Sequence, residues 1–200
     1  MSLNQQTCKL VVFGSYFEVG RSSIILRFVL DKFVERYEPT LDDTFTKELQ
    51  IEDETIKLQI FDIVDTTSYD SWRAFNIRTG DGFIIIYSIT SLTSFEEMKG
   101  IYKEIYRVKD KDENEVIPII IVGNKCDLEN ERQVTKEDGI EYANSVKCAF
   151  LECSAKTNEN INQIFDIITR NVVEYKYSTE EEIWTIEKPK KEKGCCLIYE

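Results

Sequence analysis

The chain has 200 residues, and 42% of them are apolar, which suits one domain with a full core and leaves little room for two. Its 37 acidic residues against 25 basic ones give a net charge of −12, and because phosphate neutralisation needs a basic face, no nucleic-acid partner is expected. Histidine is absent, which excludes an imidazole general base, a Ser-His-Asp triad and every His-containing metal site.

Along the chain two periods alternate. KLVVF (Lys9 to Phe13) is a short β-rich run suited to a strand buried on both faces, and a helix is expected after the loop that follows it. Phe45, Leu49 and Ile51, then a polar EDE, then Ile56, Leu58 and Ile60 keep period two on each side of a turn, which predicts a hairpin. Helix and strand then alternate to a final helix. FIIIYS (Phe83 to Ser88), IPIIIV (Ile117 to Val122) and CAFLEC (Cys148 to Cys153) read as further buried strands. Leu92, Phe95, Met98, Tyr102 and Ile105 recur every three or four residues, as do Ile161, Ile164, Phe165, Ile168 and Val172, and each set predicts a helix. Thr135 with Asp138 three later resembles a capping box opening another. This order predicts an α/β fold of three layers, with a six-stranded, mostly parallel sheet, one antiparallel edge strand and helices on both faces. Ligands are then expected at the carboxyl ends of the strands.

Residues 1–175 read as this domain and 176–200 as a flexible tail. The tail opens on the acidic, poorly patterned STEEEIWTIE and ends KPKKEKGCCLIYE, whose four lysines and two glutamates make it +2. The six cysteines, Cys8, Cys126, Cys148, Cys153, Cys195 and Cys196, contain no CxxC pair, and no apolar stretch near residue 1 reads as a signal peptide, so cytosolic thiols are expected. The longest apolar runs fall far short of the roughly 20 residues that a spanning helix requires.

The loops after the strands carry the chemistry. After Val122 comes GNKCDL, in which the Asp127 carboxylate can accept both N–H groups on one edge of guanine, a pair that adenine does not offer. Lys125 can lay its stem over the base, Asn124 can tie this loop to the first one, and Leu128 closes the motif. Alone, such a segment also reads as a polar turn between strand and helix. Its partner is Ser154-Ala155-Lys156 after the next strand, where the Ala155 N–H can meet the guanine carbonyl oxygen.

KLVVFG, YEPTLDD, RTGDGFIIIYSI, VGNKCDL and SAKT occur in that order, and with them the chain resembles small GTPases of the Ras superfamily, nearest the Ras and Rap branch, over roughly residues 7 to 175. The resemblance implies a P-loop small-GTPase fold and a GTP/GDP switch with Mg²⁺. It implies phosphate contacts from Gly14, Val19, Gly20, Arg21, Ser22 and Ser23, and Phe33 packed edge-on to the base. Mg²⁺ would be held by Ser22, by Thr40 of YEPT, which also meets the γ-phosphate, and through a water by Asp62. Effectors would meet residues 37–45 and the 65–75 switch, and an exchange factor or activating protein is implied as a partner.

Departures from the pattern bear on activity. A phosphate loop reads G-x-x-x-x-G-K-S/T, whereas Gly14-Ser15-Tyr16-Phe17-Glu18-Val19-Gly20-Arg21-Ser22 has one residue too many between its glycines and arginine in the lysine position. Tyr16 and Phe17 do not reach positive φ as cheaply as glycine, and the planar guanidinium is larger than an ammonium. Where the family reads D-T-A-G-Q, this chain reads Asp62-Ile63-Val64-Asp65-Thr66. Asp65 replaces a glycine whose N–H meets the γ-phosphate, and a like-charge contact at ~5 Å and an effective dielectric near 20 costs about 3 kcal/mol. Glu18 adds repulsion from the opposite side. Thr66 stands where glutamine orients the attacking water, as threonine does in the Rap branch, so no catalytic residue is assigned.

Arg73 and Arg78 read as structural or partner-facing, and Trp72 with Tyr69 as either an exposed patch or a buried anchor. Lys188, Lys190, Lys191 and Lys193 before Cys195-Cys196 supply a polybasic stretch and candidate lipidation sites. Cys196 lies one residue too far from the end for a C-a-a-X box, and an unmodified tail is the alternative. The expectation is a guanine-nucleotide switch with impaired hydrolysis and weakened phosphate binding, at the cytoplasmic face of a membrane such as the plasma membrane. The alternatives are a pseudo-GTPase scaffold that binds no nucleotide and a GTPase that works with help from a partner.

Overall fold

The apolar runs become strands and the three-to-four-residue patterns become helices. The computed structural model describes residues 6–15, 19–33, 43–51, 54–63, 70–112 and 114–181. Expectations placed on Tyr16, Phe17, Glu18, Thr40, Asp65, Thr66, Tyr69 and Cys195-Cys196, and on residues 37–42 and 65–69 as partner surfaces, lie outside these.

The order is β1 (Thr7–Gly14), α1 (Arg21–Leu30), β2 (Asp43–Ile51), β3 (Glu54–Asp62), α2 (Asp70–Thr79), β4 (Gly82–Ser88), α3 (Leu92–Lys109), β5 (Ile119–Asn124), α4 (Lys136–Ser145), β6 (Ala149–Cys153) and α5 (Ile161–Glu181). The sheet runs β2-β3-β1-β4-β5-β6. Only β2 pairs antiparallel, with β3, and the other four pairings are parallel. β2 is an edge, and it alternates exposed with half-buried residues from Thr44 onward, as one-sided burial requires. Central β4 is buried at every position.

Alternate residues of each central strand serve opposite faces. Leu10, Val12, Ile84, Ile86, Ile120 and Val122 pack with Ile24, Ile25 and Phe28 of α1 and Ile164, Phe165 and Ile168 of α5. Their neighbours Val11, Phe13, Phe83, Ile85, Ile119 and Ile121 face α2, α3 and α4, where they meet Ile77, Phe95, Met98, Ile105 and Ala143. The Phe28 and Phe165 rings stack at 3.8 Å between centroids and 9° between planes, which locks α1 against α5.

Local signals fix the helix starts. Ser91 caps α3, its hydroxyl accepting from the Ser94 N–H. Thr135 and Asp138 form a reciprocal capping box at α4. α5 runs through Glu181, six residues into the stretch whose composition reads as a tail. Polar tethers carry the added turns: Lys176 Nζ pairs with Asp81 Oδ2 at 3.0 Å and the Tyr177 hydroxyl donates to Glu54 at 3.2 Å. Cys8, Cys126, Cys148 and Cys153 are free thiols, and burial first, then Asp81, pushes Cys8 up to about 12. Among the described residues no helix is long and apolar enough to cross a membrane.

Phe165→Ala should lower stability by about 3–5 kcal/mol, because it empties the contact between α1, α5 and the sheet. Urea unfolding followed by far-UV circular dichroism measures this, and a loss under about 1 kcal/mol would show that the stack is not a core contact.

Candidate functional site

Parallel register brings the ends of β5 and β6 level, with Asn124 opposite Cys153, so their loops and the loop after β1 open at one end of the sheet. Asn124 joins all three. It is buried, its Nδ2 donates to the Val19 carbonyl at 2.8 Å, and its Oδ1 accepts from the Ala155 N–H at 3.3 Å. Gly20 sits against this amide with φ +77°, and a Cβ there would lie 2.4 Å from Asn124 Nδ2, so both the backbone and the space require glycine.

Lys125 adopts φ +68°, in the left-handed region, and starts a tight turn closed by the Leu128 N–H on the Lys125 carbonyl at 2.9 Å. The turn delivers Asp127 to the neighbouring loop, where Ser154 Oγ donates to its Oδ1 at 2.6 Å and accepts from the Thr157 N–H at 3.1 Å. Among the described residues Asp127 Oδ2 has no hydrogen bond, and the carboxylate retains the acceptor capacity that two adjacent N–H donors would use. Cys126 between them is pushed up to about 12, by burial first and then by Glu159, and stays a protonated thiol. The Ala155 N–H, expected to face a purine carbonyl, is instead bonded to Asn124, because the level strand ends bring that side chain beneath the loop. Lys156 is exposed, and Leu128 and Phe33 are half-buried, with the Arg27 guanidinium carbon 5.8 Å from the Phe33 ring centroid.

Two arginines that the sequence reading passed over hold these loops. Arg27 donates from Nε to the Ala155 carbonyl at 2.9 Å and from Nη2 to the Lys156 carbonyl at 3.1 Å. Its place in the last turn of α1 is a weak signal, since basic residues there usually serve their own helix's carbonyls. Arg132 reaches Glu152 of β6 at 2.7 Å and Glu129 at 2.7 Å, and it pins the segment after β5 to its neighbour strand.

The phosphate end is built differently from the expectation. Val19 is buried under the loop, and Arg21 and Ser22 open α1, with Ser23 half-buried beside them. Gly20 precedes the helix and offers no side-chain cap, so the first-turn amides are left for other acceptors. The Arg21 side chain, expected to reach toward phosphate, instead donates through Nε to Asp62 Oδ1 at the end of β3, and both residues are buried. Ser22 Oγ donates to Asp62 Oδ2 at 2.5 Å. Both oxygens of the carboxylate that the resemblance gives to Mg²⁺ are thus taken by protein donors.

Ser22 and Asp62 alone have the oxygen chemistry of a magnesium pair. With Arg21 bonded to Asp62 they do not fit the ion. A dication and a guanidinium about 5 Å apart repel by about 7 kcal/mol at an effective dielectric near 20. Among the described residues no group of three or more acidic or cysteine side chains could hold a metal ion.

On α2, Arg73 is buried, bonds both Glu104 oxygens at 2.6–3.0 Å and lies over the Phe13 ring, which is a structural role. Arg78 is exposed. Trp72 is 40% exposed and stacks on Phe75, which is 49% exposed, so Trp72 is not a buried anchor, while the Tyr69 part of that expectation lies outside the described residues.

Asn124→Ala should destabilise the fold by about 2–3 kcal/mol, since it strands the buried Val19 carbonyl and Ala155 N–H. Urea unfolding without added ligand tests this, and an unchanged midpoint would mean that the loops are held by other contacts.

The sequence matches the Ras family over residues 9–174. Ras-like protein rasB of Dictyostelium discoideum is 42% identical over 164 residues, covering 82% of this chain and 81% of that protein. Ras-like protein 1 of Saccharomyces cerevisiae is 42% identical over 164 residues, covering 82% of this chain and 52% of that protein. Proteins of this family generally bind guanine nucleotide and Mg²⁺ and engage effectors, exchange factors and activating proteins. With the match spanning most of the chain and the six-stranded sheet carrying its loops at one end, the chain belongs to the Ras family of GTP-binding signalling GTPases.

Proposed function

We propose that this chain is a guanine-nucleotide switch that keeps its base pocket, grips phosphate weakly and hydrolyses GTP slowly, and that it signals by presenting residues 37–45 and the 65–75 switch to an effector. The observation that carries this reading is the set of bonds linking Asn124, Val19, Ala155, Asp127 and Ser154, which orders the base-side loops through the protein's own groups. Such a site rejects adenine, because Asp127 accepts from paired donors that only guanine supplies. The weakened grip is supported by the extra loop residue and by the Arg21 bond to Asp62. Slow hydrolysis is supported by Asp65 and Thr66 in the switch sequence. Membrane attachment through the lysines and Cys195-Cys196 rests on sequence and belongs to the same proposal.

A second reading, a nucleotide-free scaffold, is favoured by one observation: Arg21 and Ser22 are both bonded to the Asp62 carboxylate. Melting temperature with and without excess GDP separates the two readings. Ligand at a hundred times its dissociation constant adds about 2.7 kcal/mol of stability, and an unmoved melting temperature supports the scaffold.

Nucleotide released from protein purified without added ligand should be guanine-based by chromatography, and its complete absence, with no GDP binding on titration, would refute the switch. Asp65→Gly should strengthen binding of a non-hydrolysable GTP analogue by up to about a hundredfold relative to GDP, which is the charge repulsion converted to affinity. Equal gains for both nucleotides would contradict the repulsion.

A further inference from the structure

We propose that Arg21 replaces the divalent ion of this site, so that the chain holds a guanosine diphosphate without magnesium; the proposal rests on the guanine-nucleotide reading above. Three observations lead to it. Arg21 is the first residue of α1, buried, with Nε bonded to Asp62 Oδ1, so a permanent positive charge is fixed beside the carboxylate where a metal would be drawn. Ser22, the other side chain suited to the ion, is bonded to the second Asp62 oxygen at 2.5 Å, so the metal pair is already satisfied within the protein. Among the described residues the Nε bond is the only hydrogen bond of the Arg21 side chain, which leaves the Nη donors for phosphate oxygens.

The chemistry agrees. A guanidinium is charged at every working pH and binds phosphate through paired N–H donors in a fixed plane. With Nε on Asp62 the plane is pre-set, so little side-chain freedom remains to be lost when phosphate arrives. Lysine would present a single point charge on a flexible stem and could leave Asp62 to the ion. Arginine supplies one positive charge where magnesium supplies two, which agrees with a weaker grip and with a smaller preference for a third phosphate.

The full chain, freed of bound nucleotide, is titrated with fluorescent GDP in magnesium and again in EDTA at matched ionic strength. The dissociation constant should differ by less than about threefold between the buffers, and for Arg21→Lys it should rise at least about tenfold in EDTA. Manganese added to the GDP-bound protein gives a second readout by electron paramagnetic resonance: free ion for the natural chain, bound ion for Arg21→Lys. A loss of about tenfold or more in EDTA for the natural chain, or stoichiometric manganese on it, would overturn the proposal. An Arg21→Lys protein that binds GDP equally in both buffers would overturn the role given to Arg21. Should that variant fail to fold, the natural chain's two readouts decide alone. No GDP binding in either buffer by protein that still melts cooperatively would overturn the nucleotide reading itself, and this proposal with it.

Discussion

A buried ion pair loses the hydration of two charges and regains it only when the partners' remaining donors and acceptors find bonds. Arg21 and Asp62 meet that condition from one side: the carboxylate has the guanidinium on one oxygen and the Ser22 hydroxyl on the other. The pair ties the start of α1 to the end of β3, two elements 41 positions apart in sequence, at the place where phosphate and metal chemistry would occur. Geometry at the end of β3 is therefore set by protein groups, with a guanidinium beside the Asp62 carboxylate.

The base end follows the same logic with neutral groups. Asn124 is one amide with two donors and one carbonyl, and it uses both ends on backbone from two other loops. Ser154 steers Asp127, while Arg27 and Arg132 hold the loop carbonyls and the neighbouring strand. The pocket's shape is thus a property of the folded chain, and at the phosphate end Arg21, Ser22 and Asp62 are likewise bonded to one another.

The exposed pair Trp72 and Phe75 on α2 forms an aromatic surface within residues 65–75. Arg73 anchors that helix by its bond to Glu104, so the two rings are presented on a fixed element. Paired aromatics with large apolar area are common contact points between proteins, and they fit a family whose members engage effectors and regulators.

The strands, the two apolar-periodic helices, the hairpin and the capping box at Thr135 were legible because burial leaves a period of two or 3.6 residues, and a cap is a local hydrogen bond between neighbours. The base motif was legible too, since Asn124, Lys125, Asp127 and the Ser154 loop act through residue types whose donors and acceptors are known in advance. The turns of α5 beyond Val172 were not, because they are held by Lys176 on Asp81 and Tyr177 on Glu54, contacts between remote residues. Arg27 was hidden for the same reason. Arg21 is the clearest case: its identity showed that the phosphate lysine was replaced, but whether its charge would point at phosphate or at Asp62 depended on where β3 ends relative to α1. Sequence records what each residue is able to bond, and only the packing of sheet and helix chooses the partner, because that choice is made by distance in space.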